Sequence, residues 1–295
     1  LGAVESEFTT VFSESVLVLT HFVMRLGPHS RGDWDVQELE SLVSRVAQCW
    51  KDQLGEVLLE AFGEERGAAF LANTQGPAWL ADIARERGIP LLHVSTDYVF
   101  DGMLDRPYRE DDPVTPLGVY GASKLAGELA VRAGAPRHVI LRTAWVISAQ
   151  RNNFLKTMLR LAGERPELRV VADQHGCPTS ARDIAGALRT MALAHLADAS
   201  APCGTYHFVN AGSTTWHGLA EAVLAASRAC GGPAVPVIAI GTDEFPTRAR
   251  RPVNSRLDTA KLQRDFEIVP QPWQKIVEQI VSELSLPPSQ SENCA

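Results

Sequence analysis

Tyr120 and Lys124 stand four residues apart in the stretch VYGASK (119–124), in a chain with four tyrosines and only five lysines against twenty-three arginines. On a helix, residues i and i+4 lie one above the other on the same face. The spacing would therefore set an ammonium beside a phenol. A free tyrosine has a pKa of roughly 10 and exchanges protons poorly near neutrality. A fixed cation in contact range favours phenolate and lowers such a pKa by ~1–3 units, into the range useful for general acid/base chemistry. A hydroxyl at a neighbouring strand end would bond the same substrate oxygen, and Thr96 is placed for that. The plain alternative is a surface helix on which Tyr120 packs and Lys124 is solvated. Spacing alone does not decide, because a Y-x-x-x-K match also arises by chance.

The elements that must carry these residues alternate from about residue 66 onward. AAFLANTQGPAWLADIARERG has helical apolar spacing and stops at Gly88, a C-cap. IPLLHV (89–94) and RHVILRT (137–143) are short apolar runs, as expected of strands covered on both faces. Between them lie an Asp- and Pro-rich loop and the helix LGVYGASKLAGELAVRAG. Strand, loop, helix, strand is a βαβ unit, and successive units build a parallel sheet. Ligands gather at the carboxyl ends of such strands, which here are Ser95, Thr96 and Asp97 after LLHV, and Ala144 and Trp145 after VILRT. Further helices follow, capped by Asn153 or Asn152 (whose alternative is substrate contact), by Thr179 or Ser180, and at the Ser/Thr start of STTWHGL. The fold class expected is α/β: a Rossmann-like, doubly wound parallel sheet with a smaller C-terminal α/β substrate-binding lobe. The division expected is a dinucleotide-binding domain over 1–150, a mainly substrate-binding lobe over 151–285, and a disordered tail over 286–295.

Composition narrows the function classes. A net charge of -7 and a pI near 5.6 argue against nucleic acid as a partner. The five cysteines are scattered and form no C-x-x-C pair, which reads as free thiols in a reducing, cytoplasmic compartment. The apolar run SVLVLTHFVM is too short to span a bilayer, and with no basic leader or cleavage site it is not expected to be a signal peptide. No metal-ligand spacing occurs among the eight histidines. The acidic loop DGMLDRPYREDD reads as a solvated loop, so no spacing supports a Mg2+ site. Trp216, one turn into a helix, reads as core.

The neighbouring stretches HVSTDYVFDG, PYREDDPVTPLGVYGASKLAGE and VILRTAWV, in this order, closely resemble the extended short-chain dehydrogenase/reductases. Within them the chain is similar to the dTDP-4-dehydrorhamnose reductase family. NNFLKTMLRLA, DQHGCPTSARDIA, GTYHFVNAGSTTW and PTRARRPVNSRLDTAKL agree, so the resemblance covers about residues 66 to 283. It implies reduction of the 4-keto group of dTDP-4-dehydro-L-rhamnose by NADPH or NADH. On this resemblance Tyr120 protonates the developing alkoxide, Lys124 tunes Tyr120 and bonds the nicotinamide ribose, and Thr96 orients the keto oxygen. Thr96, Asp97 and Trp145 become sugar-nucleotide contacts, and the main chain near Val94 lies beside the cofactor. Arg248, Arg250 and Arg251 are candidates for the diphosphate, or solvated surface groups. A homodimer is compatible with the sequence.

One expected part is missing. A nicotinamide-binding fold of this kind opens with a strand and a glycine-rich turn that lets the backbone approach a pyrophosphate. Residues 1 to 65 hold Gly2, Gly27, Gly32, Gly55 and Gly63 in no such arrangement. SVLVLTHFV has the pattern of a first strand, but MRLGPHSRG after it is a poor phosphate cradle. The expectation is an N-terminal third that is truncated, or altered by a reading-frame change or decay. The alternatives to an active reductase are a non-catalytic sugar-nucleotide or NADP-binding regulatory subunit on the same scaffold, and an inactive reductase. An epimerase or dehydratase would use the same Tyr and Lys but fits the downstream stretches less well.

Overall fold

The computed structural model describes residues 64–246 and 250–285. The expected first strand, Arg248 and the C-terminal tail lie outside the described residues. Two compact units interleave along the chain. Of the described residues, the first holds 64–95 and Ala122–Ile140, and the second holds Thr96–Gly121, 141–246 and 250–285. Their borders fall within two strands and one helix, whereas the sequence reading puts its change near residue 150.

In the first unit, α1 (Glu64–Phe70), a π turn (Leu71–Gln75) and α2 (Gly76–Arg87) cover the stretch expected as one helix. Pro77 has no N–H to give, and the turn before it opens so that the Gly76 N–H bonds the Leu71 carbonyl. The helix stops where expected. Gly88 takes the left-handed conformation, φ 64°, with its N–H on the Ala84 and Arg85 carbonyls. Strand β1 (Leu91–Thr96) follows, and α3 (Val119–Gly134) carries the VYGASK stretch. Ala81, Ala84, Leu91, Val131, Ala135 and Ile140 form the core of this unit. Helix α3 approaches closely because Gly127 lacks a Cβ. A methyl there would overlap the Asn73 carbonyl oxygen, a carbonyl that Pro77 cannot serve.

Strand β2 (His138–Thr143) neighbours β1 in the first unit and β7 (Gly204–His207) in the second. The second unit adds parallel pairs. β3 (Val146–Ile147) pairs with β6 (Thr179–Ser180), and β4 (Leu168–Val171) pairs with β9 (Val237–Ile240). β5 (His175–Gly176) and β8 (Thr214–Thr215) pair antiparallel, Gly176 opposite Thr214. The two-residue strands were not legible as strands, since a pattern of period two needs a longer run. Helices α4 (Phe154–Glu164), α5 (Ala181–Ala197) and α6 (Trp216–Ala229) start on Asn153, Ser180 and Thr215. Each cap side chain accepts a backbone N–H, as the sequence predicts for this residue class. With α7 (Ala260–Phe266) and α8 (Trp273–Ser285) they complete the unit. Its core packs Leu155, Leu168, Leu219, Val223, Ile276 and Val277 together. Among the described residues, no helix is long and apolar enough to cross a membrane.

Candidate active site

Thr96 is the last residue of β1, and there the chain turns into a short 3-10 turn, Asp97–Val99. The Thr96 hydroxyl caps that turn, accepting the Tyr98 N–H at 3.2 Å and donating to Asp97 Oδ1 at 3.0 Å. Tyr120, in the first turn of α3, hydrogen-bonds the same Thr96 side chain. Its ring meets Tyr98 edge-on, with centroids 5.9 Å apart and planes at 83°. Gly121 permits this approach, because a Cβ there would overlap the Tyr98 carbonyl oxygen. The second unit thus gathers Thr96, Asp97 and Tyr120 by purely local devices: a strand end, a capped turn and a glycine next to the tyrosine.

The electrostatics of this cluster differ from the sequence expectation. The side chain of Tyr120 leaves 44% of its surface open, yet its phenol is pushed up to about 12. Loss of solvation around the hydroxyl is the first cause and the Asp97 charge the second, while the Thr96 hydrogen bond opposes them. The exposure belongs to the residue as a whole and the desolvation to its hydroxyl end. A lowered phenol was expected. It is raised because burial of the hydroxyl, and after it the Asp97 carboxylate, disfavours the phenolate. Asp97 is itself buried, with Oδ2 lacking a hydrogen-bond partner. Burial pushes its carboxyl up to about 6, and hydrogen bonds from Ser255 and Thr96 offset only part of that. Burial and Asp97 also raise Tyr98, against which the Arg251 guanidinium acts. Arg251 therefore stands beside the cluster, and Arg250 is exposed.

The first unit holds the other half of the predicted set. Lys124 lies one turn beyond Tyr120 on α3. Its Nζ donates to the Val94 carbonyl at 2.7 Å, so Lys124 and Val94 are brought together. Lys124 is buried, which lowers its ammonium to about 8, and Glu128 resists that shift. Glu128 has no exposed surface; it accepts from Ser95 Oγ at 2.6 Å and from Arg132 at 3.0 Å. His93 is buried on the same strand and is held well below the usual histidine range, first by burial and then by Lys124. Lys124 is thus a buried, partnered cation rather than a solvated one.

Trp145 sits just past β2 in a strained, left-handed conformation, φ 47°. Its indole stacks on Trp216 at 3.6 Å and 9°. A ladder links its surroundings to Asp97. Gly176 lies against the Trp145 ring, Ser255 N–H bonds the His175 carbonyl at 2.7 Å, and the Ser255 side chain bonds Asp97. Cys177 is buried with its thiol pushed up to about 11, which disfavours the reactive thiolate.

Sequence reasoning missed Glu128, Ser255, Tyr98 and Trp216. Glu128 had a signal, the i+4 position after Lys124. Ser255 had none, since it reaches Asp97 from far along the chain. A cavity of about 390 Å3 in the second unit, bordered by Cys177, Asn210, Arg256 and Asp258, contains none of the predicted site residues. Among the described residues, no group of three His, Cys, Asp or Glu side chains could hold a metal ion.

Comparison with known proteins shows the family. The family model described as RmlD substrate binding domain matches residues 59–286. A dTDP-4-dehydrorhamnose reductase of Sinorhizobium fredii is 46% identical over 219 residues, covering 74% of each chain. One of Burkholderia thailandensis is 39% identical over 268 residues, covering 87% of this chain and 90% of its own. A crystal structure of dTDP-4-dehydrorhamnose reductase from Bacillus anthracis, in complex with NADP, superposes with a TM-score of 0.69 at 32% identity, over 79% of this chain and 77% of that one. The model described as Glutamate dehydrogenase, ACT2 domain matches residues 1–51, which lie outside the described residues. The α/β, Rossmann-like fold expected from the sequence is that of these neighbours. With three quarters of its length matched at this identity, the chain belongs to the dTDP-4-dehydrorhamnose reductase family.

Proposed function

We propose that the chain reduces the 4-keto group of dTDP-4-dehydro-L-rhamnose to give dTDP-L-rhamnose, drawing on NADPH or NADH in the cytoplasm. The observation that carries this reading is the Thr96–Asp97–Tyr120 cluster, with its phenol held protonated at neutral pH. Reduction of a ketone needs a hydride at carbon and a proton at oxygen. A bound nicotinamide supplies the hydride. The donor set fits the ribose end of such a group: a buried ammonium, Lys124, already donating to the main chain at Val94. Lys124 would hold the ribose hydroxyls.

The chain's own residues handle the oxygen. Thr96 gives its hydroxyl to the keto oxygen and orients it. As negative charge grows there, Tyr120 hands over its proton, and the C–O bond ends as an alcohol. A phenol near 12 is a weak acid in the resting state but is well matched to an alkoxide, which is more basic still. The phenolate then regains a proton before the next turnover. Asp97 Oδ2, unpartnered and buried, accepts a sugar hydroxyl. Trp145 borders the hexose, and Arg251 meets the diphosphate.

The test is oxidation of NADPH by the purified chain with dTDP-4-dehydro-L-rhamnose. Tyr120→Phe is expected to lower kcat by ~10²–10⁴-fold while binding of dTDP-L-rhamnose stays near wild type. A Tyr120→Phe chain as fast as wild type would sink the assignment. A second reading, sugar-nucleotide binding without turnover, is favoured by residues 1–51, which match another family model and lack the glycine fingerprint. Tight dTDP-L-rhamnose binding with no NADPH oxidation would select it.

A further inference from the structure

Trp145 is a bulky residue in a backbone region that such residues rarely occupy, and it stays there only if its surroundings over-determine it. Three contacts do so. The Trp145 carbonyl accepts the Thr179 N–H at 3.0 Å, at the start of the β3–β6 pair. Gly176 lies so close that any Cβ there would overlap the indole. Trp216 lies parallel to the indole at 3.6 Å, in full stacking contact. Trp216 is in turn wedged by Phe154, whose ring centroid is 4.7 Å away, and is held at the first turn of α6 by the Thr215 cap. The β5–β8 pair joins the two sides, because Gly176 faces Thr214, two residues before Trp216. The sequence reading put Trp216 in the core; it is half-buried and packs against that core and Phe154, and its ring also stacks on Trp145.

We propose that Trp216 is a positioning residue for sugar recognition: it fixes the Trp145 indole, and with it the wall of the hexose site that Trp145 provides. This rests on the reading of Trp145 as a hexose contact. Stacked rings in this geometry contribute beyond their buried area. A freed Trp145 would relax from its strained backbone and leave the sugar, but not the nucleotide, poorly held.

Calorimetric titration of the wild type, Trp216→Leu and Trp216→Phe with dTDP-L-rhamnose and with dTDP alone tests this. In Trp216→Leu the Kd for dTDP-L-rhamnose is expected to rise about tenfold, with the Kd for dTDP unchanged. Trp216→Phe, which keeps a ring under the indole, should recover most of the affinity. Equal dTDP-L-rhamnose affinity in wild type and Trp216→Leu overturns the proposal, as does an equal loss for both ligands. A wild type that binds dTDP-L-rhamnose no better than dTDP means instead that Trp145 is not a hexose contact, and the reading beneath falls first. Should Trp216→Leu not fold, near-UV circular dichroism of Trp216→Phe decides. The change that dTDP-L-rhamnose, but not dTDP, induces in the wild type must be altered there, and an identical change rejects the proposal.

Discussion

At the scale of single residues, Asp97 shows how a site can work against the stability of its own fold. Burial pushes its carboxyl from the usual carboxylate value of 3.8 up to about 6. A raised folded pKa means that its contribution is fully present below pH 3.8 and is lost as pH rises through 6. At neutral pH the buried charge is therefore a cost. Asp97→Asn is expected to raise stability at pH 7.5 by on the order of 1–3 kcal/mol and to flatten the pH dependence between 4 and 6. Thermal melts across that range would show it, and unchanged melting at pH 7.5 would count against a buried ionised Asp97. Lys124 carries the complementary shift. Its ammonium, lowered to about 8, contributes stability that is present at high pH and is lost as pH falls through 8. The types of these residues were legible in the sequence, and so was the pairing of a hydroxyl with a phenol. The direction of the Tyr120 shift was not. A spacing shows which groups lie on one helix face, but desolvation depends on everything else packed around the hydroxyl.

At the scale of elements, α3 shows what the letters between Tyr120 and Glu128 are for. Gly121 and Gly127 let the helix approach the Tyr98 and Asn73 carbonyls. Gly127→Ala adds a methyl where no space exists, and is expected to cost about 1–3 kcal/mol, read as a lower urea midpoint. Glu128→Gln removes the charge that Ser95, Arg132 and Lys124 face. It is expected to destabilise the chain by about 1–3 kcal/mol and to lower the Lys124 pKa further, which chemical-shift titration of the lysine would measure. Helix existence, caps and stops were readable because each depends on a few adjacent residues, as at Gly88, Asn153 and Ser180. The π turn was not, since Pro77 advertises a break whose geometry is settled by what receives it. The short pairs β3–β6 and β5–β8 were also invisible, because each joins segments about thirty or more residues apart.

At the scale of the whole molecule, the apolar pattern builds a larger and a smaller core among the described residues. Leu219 has no exposed surface and lies in the centre of the larger one. Leu219→Ala is expected to cost about 2–5 kcal/mol, far more than a change at the exposed Asp105 or Asp111 of the acidic loop, and urea unfolding would rank the two. In residues 1–65 the glycines stand in no phosphate-cradle spacing, and residues 1–51 match another family model. The sequence by itself determined the family, the alternating α/β pattern, the helix ends and the identity of Tyr120, Lys124, Thr96, Asp97 and Trp145 as the residues to inspect. All of these reside in local spacing or in stretches read end to end. Only the tertiary structure decided that Lys124 is spent on Val94, that Ser255 reaches Asp97, and that Trp216 clamps Trp145. Each joins residues distant in sequence, and burial, stacking and the pKa shifts that follow arise only when the chain folds back on itself.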